Sequence, residues 1–364
     1  MVSRFADEQG WRALATFLPE ELELWCVEMG VIKRKRQIQD METLLRLIMV
    51  HASGYSLRET ASWAREKGIA TLSDVALLKR FRTLPDLLSR VVQSLLPAPG
   101  GMGLCLVDAT TVSRQIAKGT DFRVHLGWDA EGLQVAQVRL TDAAVGETLQ
   151  SLPWHHGEIL VGDRIYASRS GIAKVVETGG HVIVRMSITS TPLRDPNQER
   201  INLLELARPL KVGQYFDVDV ETIPDKRKGI VSIPGRLLVV RKEPEAAERE
   251  RKKATRESIK KGHQIRYETG ESAEYTFIFT TLNRAAVDAE TILKAYRHRW
   301  QIEMYFKRAK GIVGLGETLA RDHELTRAVI LAKLISMLLI DRLRSDFSPW
   351  GYGIPRRDQS LAIL

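Results

Sequence analysis

Only two cysteines occur in this 364-residue chain, Cys26 and Cys105, and both sit among apolar neighbours. A disulfide framework or a cysteine-ligated zinc site is therefore not expected, and a reducing compartment is. No long hydrophobic run is present either. The most apolar stretch, residues 328–340, is interrupted by Lys333 and falls short of a membrane span. The start of the chain is polar and mixed in charge and does not read as a targeting segment. A cytoplasmic, nucleoid-associated protein without membrane contact is expected. Internal repeats and low-complexity tracts are absent, and the adjacent His155 and His156 do not have a ligand spacing that converges on one ion. Tryptophan is missing between Trp154 and Trp300. Negative charge is in deficit: the formal net charge is +9, of which +6 falls in residues 291–364. Such a field suits a polyanionic partner, although basic proteins without one are common.

What is present is a spaced set of polar residues, Tyr296, Arg299, Glu303 and Lys310. At about 100° per residue they fall within an arc of roughly 60° if one long helix carries them. Ile302, Phe306, Ala309 and Val313 make an apolar face beside them. A solvated helix laced by Arg299/Glu303 and Glu303/Lys307 pairs would give the same pattern. Two upstream segments favour a site. Residues 104–107 and 158–162 are apolar runs of strand length, and each ends on an acid, Asp108 and Asp163. One such acid is usually a turn former or a helix cap. Two of them with Glu303 make a candidate carboxylate triad. Hard oxygen donors without Cys or His alongside suit Mg²⁺ or Mn²⁺ and the two-metal displacement at phosphorus.

The full Y-x2-R-x3-E-x6-K spacing, with Asp108-Ala109-Thr110 and Asp163-Arg164-Ile165-Tyr166 upstream, resembles the DDE transposases of bacterial insertion sequences, specifically the insertion-sequence-four family. The resemblance implies an α/β protein with a ribonuclease-H-like catalytic core. It implies cut-and-paste DNA transposition, with Asp108, Asp163 and Glu303 holding two Mg²⁺ or Mn²⁺ ions and Tyr296, Arg299 and Lys310 gripping DNA. The implied partner is double-stranded DNA, both the terminal inverted repeats and the target, handled by a homodimer. Alternatives are a domesticated or truncated descendant that binds DNA without catalysis, and a nuclease that cuts without joining. In the family an aromatic residue of the insertion traps a flipped base. Here Tyr267, Tyr275 or Phe277 would have to replace the missing tryptophan.

Residues 1–100 read as a helical, DNA-binding domain. It has a capping box at Ser56 and Glu59 and a possible helix-turn-helix between residues 56 and 84, although a helical hairpin fits as well. The run Lys33 to Arg36 is either a phosphate contact or a solvated face. Residues 101–186 follow an α/β order: strands at 103–109, 122–129 and 133–140, a helix at 142–151, a strand at 158–163, a helix at 168–178 and a strand at 181–186. Residues 187–274 read as a β-rich insertion whose stretch 226–261 holds 13 basic and 5 acidic residues. Residues 275–364 return to the core with a last strand, the Glu303 helix and C-terminal helices. The glycines at 311, 314 and 316 are expected to end or kink that helix.

Overall fold

The computed structural model describes residues 3–98, 103–114, 121–260, 262, 267–318 and 320–347. Seven helices come first: α1 (Ser3–Ala6), α2 (Glu8–Ala15), α3 (Leu22–Glu28), α4 (Met41–Ala52), α5 (Leu57–Glu66), α6 (Asp74–Phe81) and α7 (Pro85–Ser94). Local chemistry sets their ends. Ser56 accepts from the Glu59 amide while the Glu59 carboxylate takes the Ser56 amide, so the capping box is formed. Gly68, at φ +67°, lets the chain leave α5, and Ser73 caps α6.

The middle of the chain builds one sheet. β1 (Leu104–Arg114), β2 (Phe122–Asp129) and β3 (Gln134–Asp142) form an antiparallel meander, and β4 (Ile159–Gly162) and β5 (His181–Met186) add parallel to β1 on its other side. α8 (Arg169–Glu177) is the crossover between β4 and β5. The sheet continues through β6 (Leu193–Arg194), β7 (Tyr215–Thr222), β8 (Pro234–Arg241) and β9 (Tyr275–Thr280), with the short helices α9 (Leu203–Ala207) and α11 (Tyr267–Ser272) and the charged helix α10 (Pro244–Lys260) between them. The described strands run in the order β3-β2-β1-β4-β5-β9-β8-β7-β6, and β10 (Glu317–Thr318) pairs with the end of β1. Thus β9, expected as the re-entry strand, joins β5 to the strands of the 187–274 segment in a continuous sheet.

Residues 142–151, expected as a helix, hold only a 3₁₀ turn at Leu149–Ser151. Arg123 on β2 donates to the carbonyls of Ala143 and Val145, acceptors that a helix would need for its own amides.

The last helices are α12 (Ala289–Arg297), α13 (Trp300–Val313) and α14 (His323–Phe347). None of the described helices is long and apolar enough to cross a membrane. Side chains alternate across each strand, so the sheet has two apolar faces. Leu104, Leu106, Val161 and Ile183 pack toward the N-terminal helices and α12 to α14. Cys105, Val107, Leu160 and Val184 pack toward α8 and α9. Both cysteines are buried and unbridged.

Candidate active site

Parallel register places the first two acids together. Leu106 lies opposite Val161 across β1 and β4, so Asp108 and Asp163, each two residues further on, occupy neighbouring positions on the face that meets α12 and α13. Asp163 follows β4 in extended backbone and precedes a 3₁₀ turn at Arg164–Tyr166, yet its side chain makes no capping hydrogen bond. It is not consumed as a helix cap. Gly162 before it is held close: a Cβ there would meet Tyr166 at 2.9 Å and Val107 at 3.1 Å.

Burial dominates the electrostatics of Asp108, pushing its carboxyl up to about 6. The Ala109 amide and Arg299 pull the other way, while Glu147 and Glu303 add to the rise. Glu147, which pairs with Arg123 at 3.3 Å, is itself raised by burial, with Asp163 adding to the effect. Two neighbouring acids on one face with a third nearby create a local demand for positive charge.

The polar stripe is not on one helix. α12 stops at Arg297 and α13 starts at Trp300, joined by a tight turn in which the amide of Arg299 donates to the carbonyl of Tyr296 at 3.1 Å and that of Gln301 to His298 at 2.9 Å. These bonds span three residues rather than four, so the chain tightens locally. Tyr296 hangs from α12, and its hydroxyl donates to Asp163 Oδ1 at 3.5 Å, the outer limit for such a bond. Burial first, then Asp163, holds that hydroxyl above the usual tyrosine range.

Arg299 is mostly buried. Its guanidinium sits 5.8 Å from the Tyr296 ring centre and 2.6 Å from the Glu303 carboxylate. Burial opposes its charge, but Tyr296, Asp163 and Glu303 outweigh that and keep it protonated. Glu303, with a side chain 52% exposed, is engaged by this cation. Lys307 makes no ion pair with it among the described residues. Lys310 is exposed in the last turn of α13 and likewise has no ion pair among the described residues, and Gly314 at φ +64° ends the helix as expected.

No three His, Cys, Asp or Glu side chains among the described residues are gathered closely enough to hold a metal ion. Asp108 and Asp163 are brought together, and Glu303 stays with Arg299. The donor chemistry fits a hard divalent cation, since the nearby acids are oxygen donors and the partly buried Asp108 carboxylate has no hydrogen-bonded cation among the described residues. His155 instead faces Glu158 at 3.1 Å. Of the aromatic candidates for stacking, Tyr275 and Phe277 are buried, whereas Tyr267 is 83% exposed.

Sequence reasoning missed Arg123, Glu147 and Arg185. A charge inside the apolar strand Val182 to Met186 was the available signal for Arg185.

A family profile described as a transposase DDE domain matches residues 99–339. The InsL protein of insertion sequence element IS186A in Escherichia coli K12 is 32% identical over 368 residues, covering 97% of this chain and 99% of that protein. The transposase for insertion sequence element IS421 in Escherichia coli is 32% identical over 369 residues with the same coverage. Among solved structures, a piggyBac transposase synaptic complex with hairpin DNA is similar at 8% identity and a TM-score of 0.45, over 95% of this chain and 75% of that one.

Proposed function

The chain belongs to the DDE transposases, and from that premise we propose that Asp108, Asp163 and Glu303 are its catalytic acids in cut-and-paste transposition. The observation that carries this assignment is the β1/β4 register, which sets Asp108 beside an Asp163 free of any capping role. The strand order β3-β2-β1-β4-β5, with only β2 antiparallel to its neighbours, supports a ribonuclease-H-like core for this region. The insertion-sequence-four pattern supports the finer grouping.

DDE transposases use divalent metal ions. Here Asp108, Asp163 and Glu303 would hold Mg²⁺ or Mn²⁺, in the two-ion arrangement that activates water or a 3′-hydroxyl and stabilises the leaving oxygen. The chain's own residues do the rest. Partial burial of Asp108 limits the water that competes for its carboxylate, and the Tyr296 hydroxyl orients Asp163. Arg299 and Lys310 supply cationic donors for backbone phosphates, with Tyr296 as a further donor. When a phosphate takes over the Arg299 guanidinium, Glu303 is released toward the two aspartates.

Double-stranded DNA is the partner in this reading, as terminal inverted repeats and as target. A homodimer would hold the two ends. Residues 1–100 would serve as the helical DNA-binding domain, 101–186 and 275–364 as the core, and 187–274 as the β-rich insertion. The deciding experiment supplies a labelled pre-cut end and a supercoiled target with Mg²⁺. Joined products support transposition. Nicking without joining would reduce the chain to a nuclease, and end binding without either reaction would mark it as a DNA-binding descendant.

A further inference from the structure

We propose that Arg185 and Lys242 form a second phosphate site beside the catalytic acids, held in the absence of DNA by the carboxylate of Glu250. The proposal rests on the transposase reading of the acids and extends the path of the DNA strand beyond them. Gly162 lies opposite Val184 across β4 and β5. Arg185 is therefore the lateral neighbour of Asp163, and Asp108 on β1, Asp163 just past the end of β4 and Arg185 on β5 stand in a row across three adjacent parallel strands. Arg185 shares its face with Ile183, which packs toward the α12 side. Tyr296 and Asp163 both act on its charge.

Glu250 reaches this row from α10, the helix that otherwise presents a dense solvated charge. It accepts from Arg185 and from Lys242, and the side chains are only 16%, 12% and 22% exposed for Arg185, Lys242 and Glu250. Lys242 also donates to the Ala273 carbonyl at 2.9 Å. Two mostly buried cations share the one carboxylate of Glu250, with Asp163 the further acid near Arg185, so once Asp163 is engaged elsewhere the pair is left with an excess of positive charge. Arg164 adds to the field on Lys242. Such an excess is costly to bury without a further anion. A strand whose reacting phosphate sits at Asp108 and Asp163 brings its next phosphate over β5, where the guanidinium fork matches phosphate geometry and the ammonium supplies a point charge. Adjacent strands are about 4.8 Å apart, so the reach is one strand spacing.

The test measures binding of a pre-cut duplex, ending at the terminal repeat of the element that encodes this chain, at several salt concentrations. Arg185→Ala and Lys242→Ala are each expected to weaken binding by about tenfold and to lower the slope of log K against log salt by about 0.9. Glu250→Gln, which removes the competing carboxylate, is expected to tighten binding several-fold. Opposite signs are the signature, because a cluster that merely anchors α10 would lose stability in all three variants without tightening any. A wild-type salt slope in Arg185→Ala, or no tightening in Glu250→Gln, overturns the site while leaving the transposase reading intact if the unsubstituted chain still binds and cleaves. No end binding by the unsubstituted chain would overturn both.

Discussion

The guanidinium of Arg299 lies 2.6 Å from the carboxylate of Glu303, one turn further along the chain, and its Nε is buried without a hydrogen-bond partner among the described residues. An ordinary surface pair at this spacing contributes about 0.5 kcal/mol. This one has a mostly buried cation with an unused donor, flanked by Asp163 and Tyr296. In the proposed function this pair is what an incoming phosphate would have to displace before Glu303 could join Asp108 and Asp163.

Arg299→Ala should therefore weaken binding of a pre-cut transposon end and lower its salt slope by about 0.9, the loss of one phosphate contact. Lys310→Ala should do the same without a comparable change in melting temperature, since Lys310 is exposed. Binding isotherms across a salt series, alongside melting curves, check both. An unchanged slope with full cleavage would reduce the stripe to surface helix chemistry.

Replacing Asp108, Asp163 or Glu303 singly by Ala should abolish strand cleavage and leave end binding within a few-fold of the original, because phosphate contacts elsewhere supply most of the affinity. Gel assays of cleavage and binding on the same preparations separate the two effects. Normal cleavage by any one variant removes that residue from the triad.

The raised Asp108 carboxyl makes a pH prediction for the metal-free protein. A carboxyl moved from 3.8 to about 6 on folding gives stability that is complete below about pH 3.8 and is lost as pH rises through about 6. Above that range the ionised, partly buried group costs up to about 3 kcal/mol. Asp108→Asn should thus be more stable than the original chain at pH 7.5, with the difference shrinking toward pH 4. Urea unfolding at several pH values measures it, and an Asn variant less stable at pH 7.5 would contradict the electrostatic picture.

Divalent metal should act on the same group with the opposite sign. Mg²⁺ or Mn²⁺ should raise the melting temperature of the original chain, and the increase should fall sharply in Asp108→Ala and Asp163→Ala. Cleavage should survive a zinc-selective chelator, since both cysteines are buried and unbridged. A stoichiometric requirement for zinc would refute the carboxylate site.

Much of the site was legible because its signals are local. An apolar run of strand length reads the same before and after folding: Asp163 follows β4 directly, as that pattern has it, whereas β1 runs on past Asp108 to Arg114. The Ser56 and Glu59 capping box and the Gly314 stop needed only neighbours in sequence. The single helix expected from Tyr296 to Lys310 was not legible as two. Its break at His298 and Arg299 shows in the three-residue hydrogen bonds of the turn, which periodicity does not register.

Residue order alone indicated most of the strands between 101 and 186, and it supplied three acids and a spaced polar stripe as candidates for phosphoryl chemistry, because those signals follow from periodicity and charge. Tertiary structure decided the adjacencies. Parallel register set Asp108, Asp163 and Arg185 in a row, Arg123 took the carbonyls that a helix at 142–151 required, and Glu250 on the charged helix α10 came to sit between two mostly buried cations. Each of these depends on residues far apart in the chain meeting in a place of low dielectric, where charge must be matched and backbone groups must be satisfied.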